Sequence, residues 1–172
     1  MSIITKRGDD GDTDAMYGGR LSKNPAGVVA CGDVDELNAA LGVLRVADLP
    51  EEIIEHIDTV QGHLVALMGL LSVPSEKREK YLADGFPAVS EQEVGWLESI
   101  AVEMPANLEG WARPGASGSE PAARMDVART VCRRAERSAW AVENVSPEAC
   151  RFLNRLSDVL WLWARKLENE IS

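Results

Sequence analysis

The sequence predicts an all-α fold, a bundle of about five helices in one domain. Apolar residues recur at spacings of three and four along most of the chain after residue 24. Prolines and serine caps separate these periodic segments, and no segment shows the alternation of a half-buried strand or an internal repeat. A length of 172 residues with 45% hydrophobic residues suits one core. We expect a single domain over 1–172, with an ordered N-terminal loop at 1–24 and the helical bundle at 25–172.

The first two helices are predicted from long apolar stripes that end at prolines. The first stripe stops before Pro50 and the second before Pro74, because proline cannot continue a helix. The first stripe consists of Val34, Leu37, Leu41 and Leu44. The second consists of Ile53, Ile57, Val60, Leu64, Leu67 and Leu71.

The third helix is predicted from its cap. Residues 75–89 contain Gly85 and Pro87 and are typical of a connection. Ser90 followed by Glu93 is a capping-box pattern, which predicts a helix from there to about Met104. Residues 105–120 are rich in glycine and proline and predict a second loop.

Two further helices complete the predicted bundle. Pro121 fits the first turn of a fourth helix that ends near Val145, and Pro147 fits the first position of a fifth. The fifth helix has the apolar stripe Phe152, Leu156, Val159, Leu160, Trp163 and Leu167. The tryptophans on the predicted helices are expected to pack in the bundle, namely Trp96, Trp140, Trp161 and Trp163.

The distribution of charge points to a small anionic ligand. The net charge of -10 argues against a protein devoted to nucleic acid or to an anionic membrane. Residues 48–109 carry 13 acidic and 3 basic side chains, whereas residues 121–140 carry five arginines against Asp126 and Glu136. A local arginine cluster in an acidic protein favours a small anion over a polyanion.

The cysteines and the hydropathy indicate a soluble, cytoplasmic protein. Cys31, Cys132 and Cys150 are odd in number and form no C-x-x-C pair, which is typical of a reducing compartment, and the first two are expected to be small core residues. The first residues form no signal-peptide pattern, and the longest apolar run, residues 64–73, is too short to span a bilayer. His56 and His63 have no evident third ligand, so no protein-held metal site is expected.

The N-terminal loop, residues 5–13, is a candidate phosphate site. Gly8 and Gly11 allow backbone N–H groups to approach a phosphate, and Lys6, Arg7 and Lys23 add positive charge. The loop does not match the Walker pattern, so it is not a P-loop. The alternative is a solvated, mobile N-terminus.

Three arginines predict an anion-binding face on the fourth helix. Arg129, Arg133 and Arg137 are spaced four residues apart and stack on one side of the helix. Their guanidinium groups suit phosphate oxygens, and too few carboxylates lie nearby in sequence to neutralise them. The alternative is an ordinary solvent-facing charged surface.

Two further polar groups interrupt apolar helices. Asn154 and Asp158 share one face of the last helix, where they form either interhelical hydrogen bonds or part of a site. The segment 33–38 begins Asp-Val-Asp-Glu and suits the first turn of a helix. Asp35 in that segment is also a candidate partner for one of the arginines.

Together these motifs resemble one protein family along nearly the whole chain. Their order and spacing are similar to those of the PduO-type ATP:cob(I)alamin adenosyltransferases, the corrinoid adenosyltransferases. The segments that carry the resemblance are Thr5-Lys6-Arg7-Gly8-Asp9-Asp10-Gly11, Lys23, Gly32-Asp33-Val34-Asp35-Glu36-Leu37-Asn38, residues 128–137, Phe152-Leu153-Asn154-Arg155-Leu156-Ser157-Asp158 and Ala164-Arg165.

The resemblance implies a five-helix bundle that forms a homotrimer with active sites between adjacent subunits. It implies that Asp35 and Arg129 pair across the interface near the corrin, and that Trp111 lies at the lower face of the corrin. The chain departs from the family pattern at Arg7, at Cys31 and in the loop after Trp111, which is longer. The residues that the resemblance implies for ATP binding are Thr5, Lys6, Arg7, Gly8, Thr13, Asp14, Lys23, Arg133, Arg134, Glu136, Arg137 and Asn154.

The resemblance also implies the reaction. Co(I) of a reduced cobalamin attacks the 5′ carbon of ATP and displaces triphosphate, with Mg²⁺ on the phosphates, so the expected products are adenosylcobalamin and triphosphate. Arg133 is expected to stabilise the leaving group, while Asp35 and Arg129 set the geometry. A reductase and an adenosylcobalamin-dependent enzyme are candidate partners. The alternative function is a non-catalytic carrier or sensor that binds ATP and adenosylcobalamin.

Overall fold

The fold consists mainly of helices, as the sequence predicts. The computed structural model describes Ile4, Lys6 and residues 8–23, 25–104 and 113–169. This part of the chain contains six α-helices and one small β-hairpin. The helices are α1 (Ala26–Arg45), α2 (Glu51–Leu71), α3 (Arg78–Ala83), α4 (Glu91–Glu103), α5 (Glu120–Trp140) and α6 (Pro147–Asn169).

The caps of the later helices form as predicted. Ser90 starts α4 with a complete capping box, in which Glu93 accepts a hydrogen bond from the backbone N–H of Ser90. The hydroxyl of Ser119 caps α5 by accepting from the N–H of Ala122. Proline occupies the first turn of both α5 and α6.

The expectation of a strand-free N-terminal loop is wrong, because residues 12–22 form a β-hairpin. Strand β1 (Asp12–Asp14) pairs antiparallel with β2 (Arg20–Ser22), and Thr13 lies opposite Leu21. Each strand has three residues. Strands of three residues are too short to show the alternation of apolar and polar residues by which a strand is predicted from sequence.

The connection at residues 75–89 is also more ordered than predicted, and it adds a helix to the expected five. A 3₁₀ turn at Ser75–Lys77 leads directly into α3, which ends before Gly85. Gly85 has a φ of 83°, a conformation that favours glycine after a helix. Tyr81 is the one buried residue of this six-residue helix, so no apolar period was visible in the sequence.

The fourth predicted helix is shorter than expected, because α5 ends at Trp140 instead of near Val145. Asn144 has a left-handed φ of 51° and interrupts the helical path. The guanidinium of Arg78 donates from Nη1 to the carbonyl oxygen of Asn144 at 2.7 Å and also to that of Glu143. These bonds satisfy carbonyl groups beyond the end of α5.

The core lies where α5 packs between α1 and α6, with α2 against α1 and α4 against α6. Trp163 and Phe152 are among its largest fully buried side chains. Trp140 does not pack as predicted, since it is 59% exposed at the end of α5, where the helix stops early. No single helix in the described ranges is long and apolar enough to cross a membrane, although α2 and the segment Ser75–Ala83 pass such a test as a pair bent by 108°.

Candidate functional site

The hairpin and the loop before it form one side of the candidate site. The Lys23 ammonium donates to the carbonyl oxygen of Gly8 at 2.6 Å, and the Lys23 backbone N–H donates to the carbonyl of Gly11 at 2.8 Å. A Cβ at Gly8 would lie 3.0 Å from the Lys23 ammonium nitrogen. An added Cβ would require only a small shift of the flexible end of the Lys23 side chain, so the contact at Gly8 is close but does not exclude a larger residue.

A cavity of about 440 Å³ lies between this hairpin and the helices α1 and α2. Thr13 and Asp14 line it from β1, while Cys31, Gly32 and Asp35 line it from α1. Asp35 is exposed, and its carboxylate has no hydrogen bond or ion pair with any residue that the structure describes. Two motifs that are separated in the sequence, the N-terminal loop and the acidic segment 33–36 within α1, thus share one cavity.

The arginine face of α5 forms a second region. Arg133 and Arg137 are exposed, and neither guanidinium pairs with a carboxylate among the described residues. Arg129 differs, because its Nε donates to Asp126 Oδ1 at 2.8 Å. Asp126 is only 3% exposed and also accepts from Arg165 at 2.6 Å. Arg133 and Arg137 therefore lack a carboxylate partner among the described residues. Nearer the start of α5, Arg129 belongs to a largely buried ion-pair network with Asp126 and Arg165.

Arg134 is neutralised by α1. Its Nε donates to Asp33 Oδ1 at 3.1 Å, and its Nη2 donates to the carboxylate of Glu36. The Ser138 hydroxyl donates to the other oxygen of Asp33. These carboxylates raise the pKa of Arg134, first through the hydrogen bond to Glu36. The contacts fasten α1 to α5 next to the exposed Arg133.

A chain of polar contacts joins α5 to α6 beside the exposed arginines. Asn154 donates from Nδ2 to Glu136 Oε1 at 3.3 Å and accepts from Arg155 Nη1 at 2.7 Å. Arg155 in turn pairs with Glu98 of α4 at 2.8 Å. The interhelical hydrogen bond that the sequence left open for Asn154 is therefore present, and it orients Glu136 on the same side of α5 as Arg133.

Comparison with known proteins identifies the family. The sequence profile described as cobalamin adenosyltransferase matches residues 3–167. The chain belongs to the cobalamin adenosyltransferase family. A cobalamin adenosyltransferase from Cupriavidus metallidurans is 40% identical over 169 residues, covering 96% of this chain and 87% of the relative. A corrinoid adenosyltransferase from Mycobacterium tuberculosis is 36% identical over 173 residues, covering 95% of this chain and 86% of the relative.

Solved structures of the family share the fold. A phenylalanine-to-alanine variant of a PduO-type ATP:corrinoid adenosyltransferase from Lactobacillus reuteri, complexed with cobalamin and ATP, has a TM-score of 0.84 at 30% identity. The match covers 99% of this chain and 94% of that chain. An arginine-to-lysine variant complexed with ATP has a TM-score of 0.82 at 29% identity and covers 97% of this chain and 94% of that one.

In this family member the predicted site residues fall into two separate groups on one chain. Thr5, Arg7 and Trp111 lie outside the described residues, and Lys6 has a left-handed φ of 57°. Among the residues described, no residue of α5 or α6 lines the cavity. The group at the hairpin and the cavity beneath it consists of Gly8, Thr13, Asp14, Lys23 and Asp35. The group on α5 and α6 consists of Arg129, Arg133, Arg134, Glu136, Arg137 and Asn154.

Burial raises the pKa of all three thiols in this chain, Cys31, Cys132 and Cys150, and makes them poor nucleophiles. Burial raises the pKa of Cys132, whose Sγ lies 3.2 Å from the carbonyl oxygen of Leu153 in the core. Burial also raises the pKa of Cys31 at the edge of the cavity, and Asp35 adds to that shift. The prediction that Cys132 is a small core residue is confirmed, whereas Cys31 is only half-buried because it borders the cavity.

Sequence reasoning missed two clusters that surround the site. The expectation that Asp33 and Glu36 lie in the first turn of a helix is wrong, because α1 begins at Ala26 and places them two to three turns further along. There they bind Arg134, which is 101 and 98 positions away along the chain. The spacing of Asp33 and Glu36 on one face of α1 was the available signal. Tyr17 contacts Asp84 across 67 positions, and its place before two glycines was the available hint of a turn.

Proposed function

We propose that this chain transfers the 5′-deoxyadenosyl group of ATP to Co(I) of cobalamin, releasing adenosylcobalamin and triphosphate. Its membership of the cobalamin adenosyltransferase family supports the reaction class. The single structural observation that carries it is the exposed pair Arg133 and Arg137, which no carboxylate of the described chain neutralises. Two guanidinium groups on one helix face, neither with a carboxylate partner among the described residues, suit a polyphosphate leaving group.

We assign ATP to both groups of site residues. From the hairpin side, hydroxyl, backbone and cationic contacts would come from Thr5, Lys6, Arg7, Gly8, Thr13, Asp14 and Lys23. Arg133 and Arg137 would supply the phosphate contacts from α5, with Glu136 and Asn154 beside them. Arg134 as an ATP contact stays a prediction. Its ion pairs with α1 also support a role in positioning the arginine face.

The chemistry needs no general base. The electron pair of Co(I) forms the new Co–C bond at the 5′ carbon, and the pair of the breaking C–O bond leaves on triphosphate. Negative charge grows on that oxygen, where Arg133 would stabilise it more in the transition state than in bound ATP. The remaining contribution of the protein is to align cobalt with the 5′ carbon.

Mg²⁺ fits this site as an ion carried by the phosphates. Among the described residues no three His, Cys, Asp or Glu side chains form a group that could hold a metal. Magnesium usually needs only one or two protein oxygens beside substrate phosphates and water. Thr13 and Asp14 both line the cavity, and because consecutive side chains of β1 point to opposite faces, one of the two would supply such an oxygen. Such an ion would neutralise charge on the triphosphate.

A trimer with shared sites would explain why the two groups are apart on one chain. Helix α1 exposes apolar and small residues along one side, and monomers rarely leave large apolar patches in water. Helices α1 and α5 run antiparallel, and Glu36 of α1 contacts Arg134 of α5. Seven residues further along α1 and seven residues back along α5, Val43 and the exposed Val127 therefore lie side by side, so Val127 extends this surface. We propose that a neighbouring copy covers it and that Asp35 then pairs with the neighbour's Arg129. The exposed apolar and small residues on this side are Val29, Gly32, Ala39 and Val43 of α1 and Val46 directly after it, with the exposed, ion-paired Glu36 among them.

The corrin would bind near this shared boundary. Asp35 and Arg129 would contribute geometry there, and we propose that Trp111 shields the lower axial face of the corrin. Removing the axial ligand makes Co(II) easier to reduce. Trp111→Ala should therefore impair the reaction that starts from Co(II) with a mild reductant, and spare more of the reaction with Co(I). Equal loss from both starting states would assign Trp111 to packing.

The remaining assignments follow from the sequence and from the reaction. Three cysteines without a C-x-x-C pair support a cytoplasmic enzyme. A reductase that supplies Co(I) and an enzyme that accepts adenosylcobalamin are the protein partners that this reaction requires.

An anaerobic assay tests the function against its alternative. ATP and chemically reduced cobalamin are incubated with the protein, and the Co–C product is followed by its absorbance. A carrier or sensor would bind ATP and corrinoid but form no Co–C bond, so lack of product with both ligands bound would overturn the proposal.

A further inference from the structure

The hairpin that carries Thr13 and Asp14 is too small to be stable on its own. Its ladder pairs only three residues on each strand, from Asp12 with Ser22 to Asp14 with Arg20. An isolated two-stranded hairpin is at best marginally stable in water. Its position over the cavity must therefore be maintained by contacts with the helices.

The tip of the hairpin is attached to the residue that follows α3. The Tyr17 hydroxyl donates to Asp84 Oδ2 at 2.7 Å. Lys80, one turn earlier on α3, approaches both oxygens of Asp84 at 3.0 and 2.8 Å. The Lys80 ammonium also lies 5.1 Å from the centre of the Tyr17 ring, within the range of a cation–π contact. We call Tyr17, Lys80 and Asp84 the tip clamp.

An apolar contact supports the tip clamp. Met16 and Tyr17 pack against a small cluster of Leu70, Val73 and Tyr81, which is separate from the main core. Tyr17 has a left-handed φ of 67°. A tyrosine adopts this conformation at a cost in free energy, so its side-chain contacts must favour it.

We propose that Tyr17 and Asp84 are positioning residues for ATP, which act by holding the hairpin over the cavity lined by Thr13, Asp14 and Asp35. This inference rests on the proposed function, because it assigns ATP to that cavity. Neither Tyr17 nor Asp84 lines the cavity. Their effect passes through strand β1, which only Ala15 and Met16 separate from Tyr17. The short helix α3 thereby gains a function, namely to anchor the nucleotide loop.

Loss of the clamp should affect ATP binding selectively. The hairpin would then leave its bound position, so ATP would have to reorder it on binding. Affinity for ATP should fall by about three- to tenfold, the range expected for the net effect of one hydrogen bond. The KM for reduced cobalamin should change little, because the arginine face and the corrin residues are untouched.

The test is a double-mutant cycle measured by ATP-binding calorimetry on the full chain. Tyr17→Phe removes only the hydroxyl, and Asp84→Ala removes its acceptor. The matched control is Asp58→Ala, which removes a surface carboxylate of α2 paired with Arg45 at 2.6 Å, a pair that includes no residue of the hairpin. Both clamp variants should weaken ATP binding, their double variant should be no weaker than the worse single one, and the control should match wild type.

Hydrogen exchange of residues 11–23 without ATP gives an independent readout. We expect faster exchange there in both clamp variants, with the melting temperature of the bundle unchanged. Variants that bind ATP like wild type would overturn the inference, even if the hairpin exchanges faster. A wild-type protein that binds no ATP would overturn the proposed function and this inference together.

Discussion

Arg134 is bound at 3.1 Å to Asp33 of α1, whereas its neighbour Arg133 has no carboxylate partner among the described residues. The two arginines are adjacent in the sequence but differ in chemistry, because one is neutralised within the fold and the other remains free to meet an anion. Substitutions at these two positions should therefore separate stability from catalysis.

Arg133→Ala should lower kcat by about 100-fold or more, a typical effect of removing a group that stabilises charge in a transition state. The helical circular dichroism and the melting temperature should stay near wild type, since the exposed guanidinium of Arg133 makes no ion pair in the described chain. The measurement is a steady-state assay with reduced cobalamin. Normal turnover by this variant would remove Arg133 from the leaving-group role.

Arg134→Ala should lower stability where Arg133→Ala does not. It leaves Asp33, a partly buried carboxylate, with Ser138 as its only remaining side-chain partner among the described residues. The melting temperature should fall by a few degrees. The control is Arg124→Ala, which breaks an exposed pair with Glu120 on the same helix and should change little. Equal melting temperatures for the two variants would show that the Asp33 contact does not fasten α1 to α5.

Shared sites predict complementation between two poor enzymes. Asp35→Asn and Arg129→Ala should each lose most activity, and each should remain trimeric by light scattering. Each shared site would take Asp35 from one subunit and Arg129 from the next. When the two variants are refolded together in equal amounts, about a quarter of the sites should therefore contain both wild-type residues. Activity should recover in the mixture and not in either variant refolded alone. A fully active wild-type monomer, or a mixture without recovery, would contradict the shared site.

The titration of Tyr17 should report the tip clamp. Its partial removal from water, followed by its hydrogen bond to Asp84, raises the pKa of the phenol from 10.0 to about 12. Because the pKa of Tyr17 is higher in the folded state than in the unfolded state, its contribution to the free energy of unfolding is complete below pH 10. That contribution is lost as the pH rises through about 12. In a pH titration followed by tyrosinate absorbance, Tyr17 should ionise at a higher pH than a free tyrosine, and Tyr17→Phe should remove this transition.

Asp84→Ala should move that transition to lower pH, since one cause of the raised pKa is gone. Tyr81, the second tyrosine, also has a raised pKa because it is buried, and it serves as the internal reference. An unchanged Tyr17 transition in Asp84→Ala would show that the hydrogen bond is absent in solution.

Features repeated at helical spacing were predictable from the sequence. The apolar stripes predicted α1 and α2, and the Ser90–Glu93 box predicted the start of α4, because each signal lies within a few turns of chain. The helix α3 and the hairpin were not predictable in this way. Their three- to six-residue elements derive their stability from distant partners, as Tyr17 does from Asp84.

The candidate site shows the same limit. The spacing of Arg129, Arg133 and Arg137 predicted one cationic face, yet only the fold shows that Arg129 belongs to a largely buried network with Asp126 and Arg165. The pairing of Arg134 with α1 joins residues about one hundred positions apart. Such pairings cannot be predicted from local sequence patterns, because they depend on how α1 and α5 pack.

The most direct test of the proposed reaction is the stoichiometry of its products. Wild-type protein, ATP, Mg²⁺ and Co(I) cobalamin are combined without oxygen, the Co–C bond is quantified by absorbance, and the phosphate products by ³¹P NMR. We expect one intact triphosphate for each Co–C bond formed, with almost none of either product from Arg133→Ala. Co–C bond formation without triphosphate, or binding of both substrates without any product, would contradict the reaction.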